Sequence, residues 1–290
     1  MELQHHLGEL ARQGLGVAAI SYDPPETLAA FALAQQITFP LLSDPDSATI
    51  RRYGILNPLP ELAIAGGDDP ALKAELQRYV SAVGPPNSRM AGMAFPGTFV
   101  VDRQGRVTSR FFEESYVERN TISSVMLKLG TAGAPVNALK LSTPHLEATA
   151  FPSDAEVAVG NRFTIAVDVT PGPGIHVYAP GAAGYRVITL AVAEQPAIRV
   201  LPIQYPPAET YLFAPLNERV AAYQKPFRLL REVVVEGTPQ AQAALRGQTA
   251  LTIAGTLEYQ ACDDKVCFNP VTLPVSWTLS VRPLVTARPR

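Results

Sequence analysis

The sequence predicts two domains of different class, an α/β layer structure followed by an all-β two-sheet sandwich. Three observations predict this. The chain has 290 residues, two to three times the commonest domain length. Through residue 130 or so, apolar residues at helical spacing alternate with short apolar runs. Beyond residue 145 the helical period vanishes and a period of two replaces it.

In the first half, Leu3, Leu7 and Leu10 predict an amphipathic helix over 2–13, stopped at Gly14 or Gly16. Val17–Tyr22 is an apolar run without alternation, which suits a strand buried on both faces. Asp23-Pro24-Pro25-Glu26 then opens a second helix, with Asp23 as cap, Pro24 in the first position and Glu26 completing a capping box. Asp44-Pro45-Asp46 repeats the device for a short helix through Tyr53. Residues 58–94 read as an insertion holding one helix, with Leu72, Leu76, Tyr79 and Val80 on one side. A hairpin follows: Thr98–Val101, a turn at Asp102–Gly105, and Arg106–Phe112. Ile122, Val125, Met126 and Leu129 place a last helix. Helices interleaved with strands imply α/β layers.

Thr131–His145 is small-residue and proline-containing without periodicity, so the domains read as 1–131, a linker at 132–145, and 146–290. In the second half, Phe163, Ile165, Val167 and Val169 alternate with Thr164, Ala166, Asp168 and Thr170. Val271, Leu273, Val275, Trp277, Leu279 and Val281 form the strongest strand signal, with Trp277 a core anchor. Further strands are expected at 146–151, 175–179, 186–193, 198–203, 227–235 and 249–260. Short strands between Pro/Gly turns make a sandwich.

Composition narrows the function. A net charge of −2 without a Lys/Arg run argues against nucleic acid. No apolar stretch reaches the ~18 residues of a membrane helix. Met1–Leu10 carries Glu2, His5, His6 and Glu9 where a signal peptide would be apolar, which suits a cytoplasmic protein. The two cysteines, Cys262 and Cys267, exclude a disulfide-dense scaffold and an all-thiolate metal site. His5 and His6 lack ligand-spaced partners, so no metal and no bound cofactor are expected. Gly66-Gly67 lacks the pattern of a phosphate loop, and His145 carries no signal. His176, with Tyr178 at same-face spacing, reads either as a hydrogen-bonded sandwich histidine or as a proton donor to the cysteine loop.

The cysteines fall between the strands expected at 249–260 and 271–281, at one tip of the sandwich and within reach of each other. A disulfide closing so short a loop constrains the unfolded chain by only ~2 kcal/mol, against ~4.7 kcal/mol for a loop of about 100 residues. Asp263 and Asp264 oppose thiolate formation and Lys265 favours it. By spacing alone, redox chemistry and an inert staple stand level.

Two resemblances extend this reading. Phe39-Pro40-Leu41-Leu42-Ser43-Asp44-Pro45 and Pro96-Gly97-Thr98-Phe99-Val100-Val101-Asp102-Arg103-Gln104-Gly105 resemble the AhpC/TSA-type redoxins, the peroxiredoxin and thioredoxin-like group. That implies a thioredoxin-like domain over about 1–130 with a cis Phe95–Pro96 bond. Redoxins carry their reactive cysteine after the first core strand, whereas this chain starts inside the following helix and has no cysteine before residue 262. The domain is therefore incomplete, and peroxidase chemistry, which needs a thiolate, is not expected of it as written. A truncated N-terminus, with the catalytic cysteine upstream of Met1, is the expectation favoured over degeneration. Tyr259-Gln260-Ala261-Cys262-Asp263-Asp264-Lys265-Val266-Cys267-Phe268-Asn269-Pro270 and Gly174-Ile175-His176-Val177-Tyr178-Ala179-Pro180-Gly181 resemble the N-terminal periplasmic domain of DsbD-type thiol:disulfide interchange proteins.

The second resemblance implies an immunoglobulin-like sandwich over about 146–283 that exchanges thiols and disulfides. Cys267 would form the mixed disulfide and Cys262 resolve it. Tyr211 and Phe213 match the family's cap loop, and Tyr259 and Phe268 would contact a partner. Partners are other thiol–disulfide proteins, including a separate electron donor, in an extracytoplasmic compartment. The alternatives are a protein-binding module whose disulfide only shapes a loop, and a fragment of a peroxiredoxin or thioredoxin-like reductase.

Overall fold

The computed structural model describes residues 2–65, 70, 73–74, 76–77, 80, 90–112, 118–131, 135–213 and 217–282. It divides into two units, Met1–Val125 and Met126–Arg290. Among the described residues no helix is long and apolar enough to cross a membrane.

In the first unit the expected helices form at Glu2–Arg12, Pro25–Ala34 and Ala48–Arg52, with a further one at Leu59–Ala65. The second starts one residue later than its motif suggests. Pro24 is the cap, Pro25 takes the first position, where a missing N–H costs nothing, and Asp23 instead accepts the Ser21 hydroxyl at 2.6 Å. Asp44 acts as foreseen but from further upstream, accepting the Thr49 and Ile50 N–H groups at 3.1 and 2.9 Å. Leu72 and Tyr79 of the insertion lie outside the described residues.

Ala19–Ser21 pairs in parallel with Leu41–Ser43 as a two-stranded sheet. Ile20 and Leu42 remain 46% and 48% exposed, so the strand expected to be buried on both faces is not. Gly97–Val101 and Val107–Phe112 form the expected hairpin. Asp102 holds its turn by accepting the Gln104 and Arg106 N–H groups, both at 2.9 Å. The Phe95–Pro96 bond is trans, which corrects the cis expectation. The Leu56/Ala94 bridge leads the chain directly into Gly97–Val101, and the trans isomer, favoured by about 0.5–1 kcal/mol, serves that path.

The helix Ile122–Lys128 spans the division, and the second unit is built mainly of strands, with one further helix at Pro239–Leu245. One sheet has the order Thr189–Val192, Ala250–Tyr259, Val271–Val281, Glu156–Val157. The other runs Ile198–Gln204, Phe227–Val235, Asn161–Pro171, Leu146–Pro152, Leu139–Ser142. That last strand lies in the stretch expected to be linker, because Leu139–Ser142 pairs with Glu147–Ala150 and packs Leu139 and Leu141 on the core.

Val271–Val281 keeps its predicted alternation, with Val275, Trp277 and Leu279 in the core. Asn161–Pro171 departs from it. Thr164 and Ala166 are fully buried because Leu127, Phe151 and Leu230 cover the strand's outer face. Beside them Glu232 accepts Arg162 Nε and Nη2 at 3.2 and 3.0 Å and Lys128 Nζ at 2.5 Å, all three side chains nearly buried.

Gly255 has a packing reason to be glycine within a long strand. A Cβ there would collide with the Ala191 carbonyl oxygen of the neighbouring strand and crowd the Trp277 ring. Gly255→Ala should therefore lower stability by about 1–3 kcal/mol, read from the urea midpoint. An unchanged midpoint would show that the neighbouring strand yields without cost.

A third, four-stranded sheet has the order Glu209–Phe213, Glu218–Tyr223, His176–Tyr178, Ala261–Cys262. It carries the cysteine pair.

Candidate functional site

The strand Ala250–Tyr259 ends at Gln260, and the chain continues as Ala261–Cys262 in the third sheet. There Cys262 is paired with His176 and Ala261 with Val177. The chain then turns through Asp263–Val266 and returns at Cys267, so that Cys262 and Cys267 face each other across an antiparallel bridge and are joined by a disulfide.

The loop holds itself closed by other means as well. The Asp263 N–H donates to the Val266 carbonyl at 3.0 Å and the Phe268 N–H to the Ala261 carbonyl at 2.9 Å. The Asp263 carboxylate accepts the Val266 and Lys265 N–H groups at 2.7 and 2.8 Å. Those two bonds hold its carboxyl below the usual range. Asp263 thus builds the turn. The Gln260 side chain also bonds the Phe268 carbonyl at 3.2 Å.

The two sulfurs sit in different environments. Cys262 is fully buried, whereas Cys267 is exposed, next to the exposed side chain of Val266. Opposed residues of an antiparallel pair share a face, as do residues two apart on one strand. By the register of the third sheet, Cys262, His176, Tyr178, Ala222, Val220 and Tyr211 share one face.

Tyr178 is the centre of that face. Its side chain is fully buried, and its hydroxyl lies 3.1 Å from Cys262 Sγ and 3.2 Å from Cys267 Sγ. With both sulfurs in a disulfide, only the phenol has a proton to give, so Tyr178 is the donor. Burial, then the neighbouring Tyr185, push its pKa far up, which keeps it protonated. Its ring stacks on Tyr185 at 4.1 Å, and the Tyr185 hydroxyl donates to Glu218 Oε2 at 2.7 Å.

His176 is 1% exposed, meets Tyr178 edge-on at 5.4 Å, and packs on Tyr211 at 4.0 Å. Its Nε2 is buried without a hydrogen-bond partner among the described residues. Burial lowers its pKa more than the charge of Asp263 raises it, so the ring is held neutral.

The other expected site residues divide. Tyr211 packs against the cluster that contains Cys262 and Tyr178. Phe213 pairs its backbone with Glu218, and its side chain lies outside the described residues. Tyr259 is fully buried in the sandwich core with its hydroxyl 2.8 Å from Thr143 Oγ1, so it cannot meet a partner. Phe268 is half-buried and stacks on His145 at 4.0 Å. Tyr178, Tyr185 and Glu218 were not foreseen as site residues. The same-face spacing of His176 and Tyr178 pointed to the first, and no local pattern pointed to the others.

Comparison with known proteins matches residues 1–110 to the AhpC/TSA family and residues 144–276 to the N-terminal domain of the thiol:disulfide interchange protein DsbD. The chain carries an AhpC/TSA redoxin domain followed by a DsbD N-terminal domain. Both are thiol–disulfide oxidoreductase-like, and the cysteine pair lies in the DsbD-type domain. The redoxin domain is similar to alkyl hydroperoxide reductase E of Mycobacterium bovis and of Mycobacterium tuberculosis. Each is 32% identical over 114 residues, 39% of this chain and 53% of the relative. A 53-residue stretch is 47% identical to a Mycobacterium tuberculosis protein that carries the peroxiredoxin name, Rv2521, covering 18% of this chain and 34% of that one. The chain thus spans about a third to a half of the length of these relatives. Among solved structures, the N-terminal periplasmic domain of ScsB from Proteus mirabilis is similar at 15% identity, with a TM-score of 0.36 over 51% of each chain.

Proposed function

We propose that the chain is a thiol–disulfide exchange protein, passing two electrons at a time between protein dithiols through Cys262 and Cys267. The observation that carries this is the unequal exposure of the two sulfurs. Exchange proceeds by attack of a thiolate on one sulfur and departure of the other, and access decides which sulfur is attacked.

In the reducing half, a donor thiolate attacks Cys267 Sγ. The Cys262–Cys267 bond breaks, its electron pair leaves on Cys262 Sγ, and a mixed disulfide joins donor and Cys267. The donor's second thiolate then displaces Cys267, leaving both cysteines reduced and the donor oxidised. In the oxidising half, the Cys267 thiolate attacks an acceptor disulfide, and Cys262 attacks Cys267 Sγ to release the acceptor reduced.

The hydrogen-bonded loop supports this reading over a disulfide that only shapes the loop, because the turn has its own closure. The resemblance to DsbD supports protein dithiols as partners, a separate molecule as electron donor, and an extracytoplasmic setting, where such traffic occurs. The packing of Tyr211 on His176, against the cluster that holds Cys262, supports the reading of Tyr211 as a shield for the pair.

The test is the reduction potential of the pair, from thiol labelling and mass spectrometry in a glutathione or dithiothreitol series. A value above about −250 mV is expected, where the bond exchanges with cellular thiols. A value below about −300 mV would make the pair a structural staple and leave a binding module.

A further inference from the structure

Opening the disulfide carries an electrostatic cost that falls on one sulfur. When a thiolate attacks Cys267 Sγ, the leaving electron pair collects on Cys262 Sγ, and Cys262 is fully buried. A charge withdrawn from water is costly unless a hydrogen-bond donor is already aimed at it.

We infer that Tyr178 is a catalytic residue of the exchange, its hydroxyl the fixed hydrogen-bond donor that receives the negative charge leaving on Cys262. This rests on the exchange function proposed above. The hydroxyl lies 3.1 Å from Cys262 Sγ and 3.2 Å from Cys267 Sγ, so it touches both ends of the bond that breaks. Among the described residues no other side chain hydrogen-bonds either sulfur. The ring is held on two sides, stacked on Tyr185 at 4.1 Å and met edge-on by His176 at 5.4 Å. The strand His176–Tyr178 that carries it is itself paired with Ala261–Cys262, so phenol and sulfur sit on adjoining strands of one sheet. A donor fixed in a dry site needs no reorganisation as charge develops, and it is worth more there than in water.

The interaction grows along the reaction. To a disulfide sulfur the phenol makes a bond between neutral groups, and to a thiolate it makes a charge-assisted one about twice as strong. A contact stronger in the transition state than in the ground state accelerates the step. The step balances. The donor thiolate forms a bond to Cys267 Sγ, the Cys262–Cys267 bond breaks, and its electron pair stays on Cys262 Sγ under the hydroxyl. The phenol keeps its proton throughout, because burial holds it in the protonated form. In resolution the same electron pair returns to Cys267 Sγ and the partner leaves as a thiolate. The titratable and charged groups around the phenol and the pair are His176 on the same strand, Tyr211 and Glu218 of the neighbouring hairpin, and Tyr185. Asp263, Asp264, Lys265 and Cys267 add to them from the cysteine loop.

The experiment uses the full chain with dithiothreitol as reductant at neutral pH. Tyr178→Phe keeps the ring and removes the hydroxyl. Reduction should slow about tenfold, since the loss is the difference between a hydrogen bond to a charged sulfur and one to a neutral sulfur. A second readout is the ionisation of Cys262, followed by the ¹³C shift of its β-carbon in a Cys267→Ala background. There Tyr178→Phe should lower the ionisation constant of the thiol about tenfold, because the charged form loses its donor. A side chain that only fills space would leave that constant unchanged. Replacing Tyr178 by 3-fluorotyrosine, a stronger donor of nearly the same size, should move both readouts the other way. A wild-type rate and a wild-type ionisation constant in Tyr178→Phe would overturn the proposal and leave exchange intact. If Tyr178→Phe does not fold, the fluorinated chain decides alone, and unchanged readouts there overturn the proposal. A wild-type pair that stays oxidised throughout a dithiothreitol series would overturn the exchange reading and this role with it.

Discussion

A Cys262→Ser chain should stop at the mixed disulfide, and a Cys267→Ser chain should form none. In the first variant the exposed Cys267 is still present to attack a partner disulfide, but the buried group that would release the partner is gone. The covalent complex should accumulate and run as a larger species on a non-reducing gel, collapsing when dithiothreitol is added. In the second variant the remaining thiol is fully buried beneath Tyr178, so a folded partner cannot reach it. Its exchange rate should fall by more than about a hundredfold, because reaction depends on access to the thiolate as well as on its basicity. Equal trapping by the two variants would remove the assignment of roles. Unchanged partner affinity in both, without any covalent species, would favour the binding-module reading.

Glu232→Ala should lower the stability of the sandwich by about 3–5 kcal/mol at neutral pH. The carboxylate is shared by Arg162 and Lys128 in a nearly dry setting, and its removal takes away the anion that both cations were buried against. For a unit of this size the melting temperature should fall by roughly 10 °C. The effect has a pH signature. Burial alone would push the Glu232 carboxyl up, but its bonds with Arg162 and Lys128 prevail and hold it below the ordinary value of 4.5. A carboxyl whose folded pKa lies below its unfolded one adds stability that is complete above the unfolded value and disappears as pH falls through the folded value. The gap in melting temperature between wild type and variant should therefore be full at pH 7 and shrink below pH 4.5. A gap of the same size at pH 3 would show that lost packing, and not charge, is its source.

Much of the architecture was legible because the relevant contacts repeat along the chain. Val271–Val281 shows its inward face at every second residue, since only one side of that strand meets the core. Asn161–Pro171 hides its outward face because Leu127, Phe151 and Leu230 arrive from elsewhere in the sequence to cover it. The exposed Ile20 has the opposite cause: an apolar run forecasts two buried faces only where neighbours exist to cover them. At the site, the nearness of Cys262 and Cys267 follows from their spacing, whereas His176 pairs with Cys262 from a strand far upstream in the sequence, which no local spacing shows. Tyr259 was misjudged by its closeness to Cys262 in sequence. Its alternation with Leu257 already placed it on the core face. Tyr185 and Glu218 reach the site through pairing of distant strands and a loop, which leaves no local period to read.

The self-closing turn between the cysteines has a kinetic consequence. Because Asp263, Val266, Ala261 and Phe268 keep the hairpin shut by backbone hydrogen bonds, opening the sulfur–sulfur bond does not release the two ends to diffuse apart. Cys262 stays beside Cys267 at a high effective molarity while a partner is attached. In the exchange proposed above, intramolecular closure would then outrun the partner's competing thiols and keep the covalent intermediate brief. Such a hairpin suits a relay with rapid turnover, in which the direction of flow is decided by the potentials of the proteins on either side.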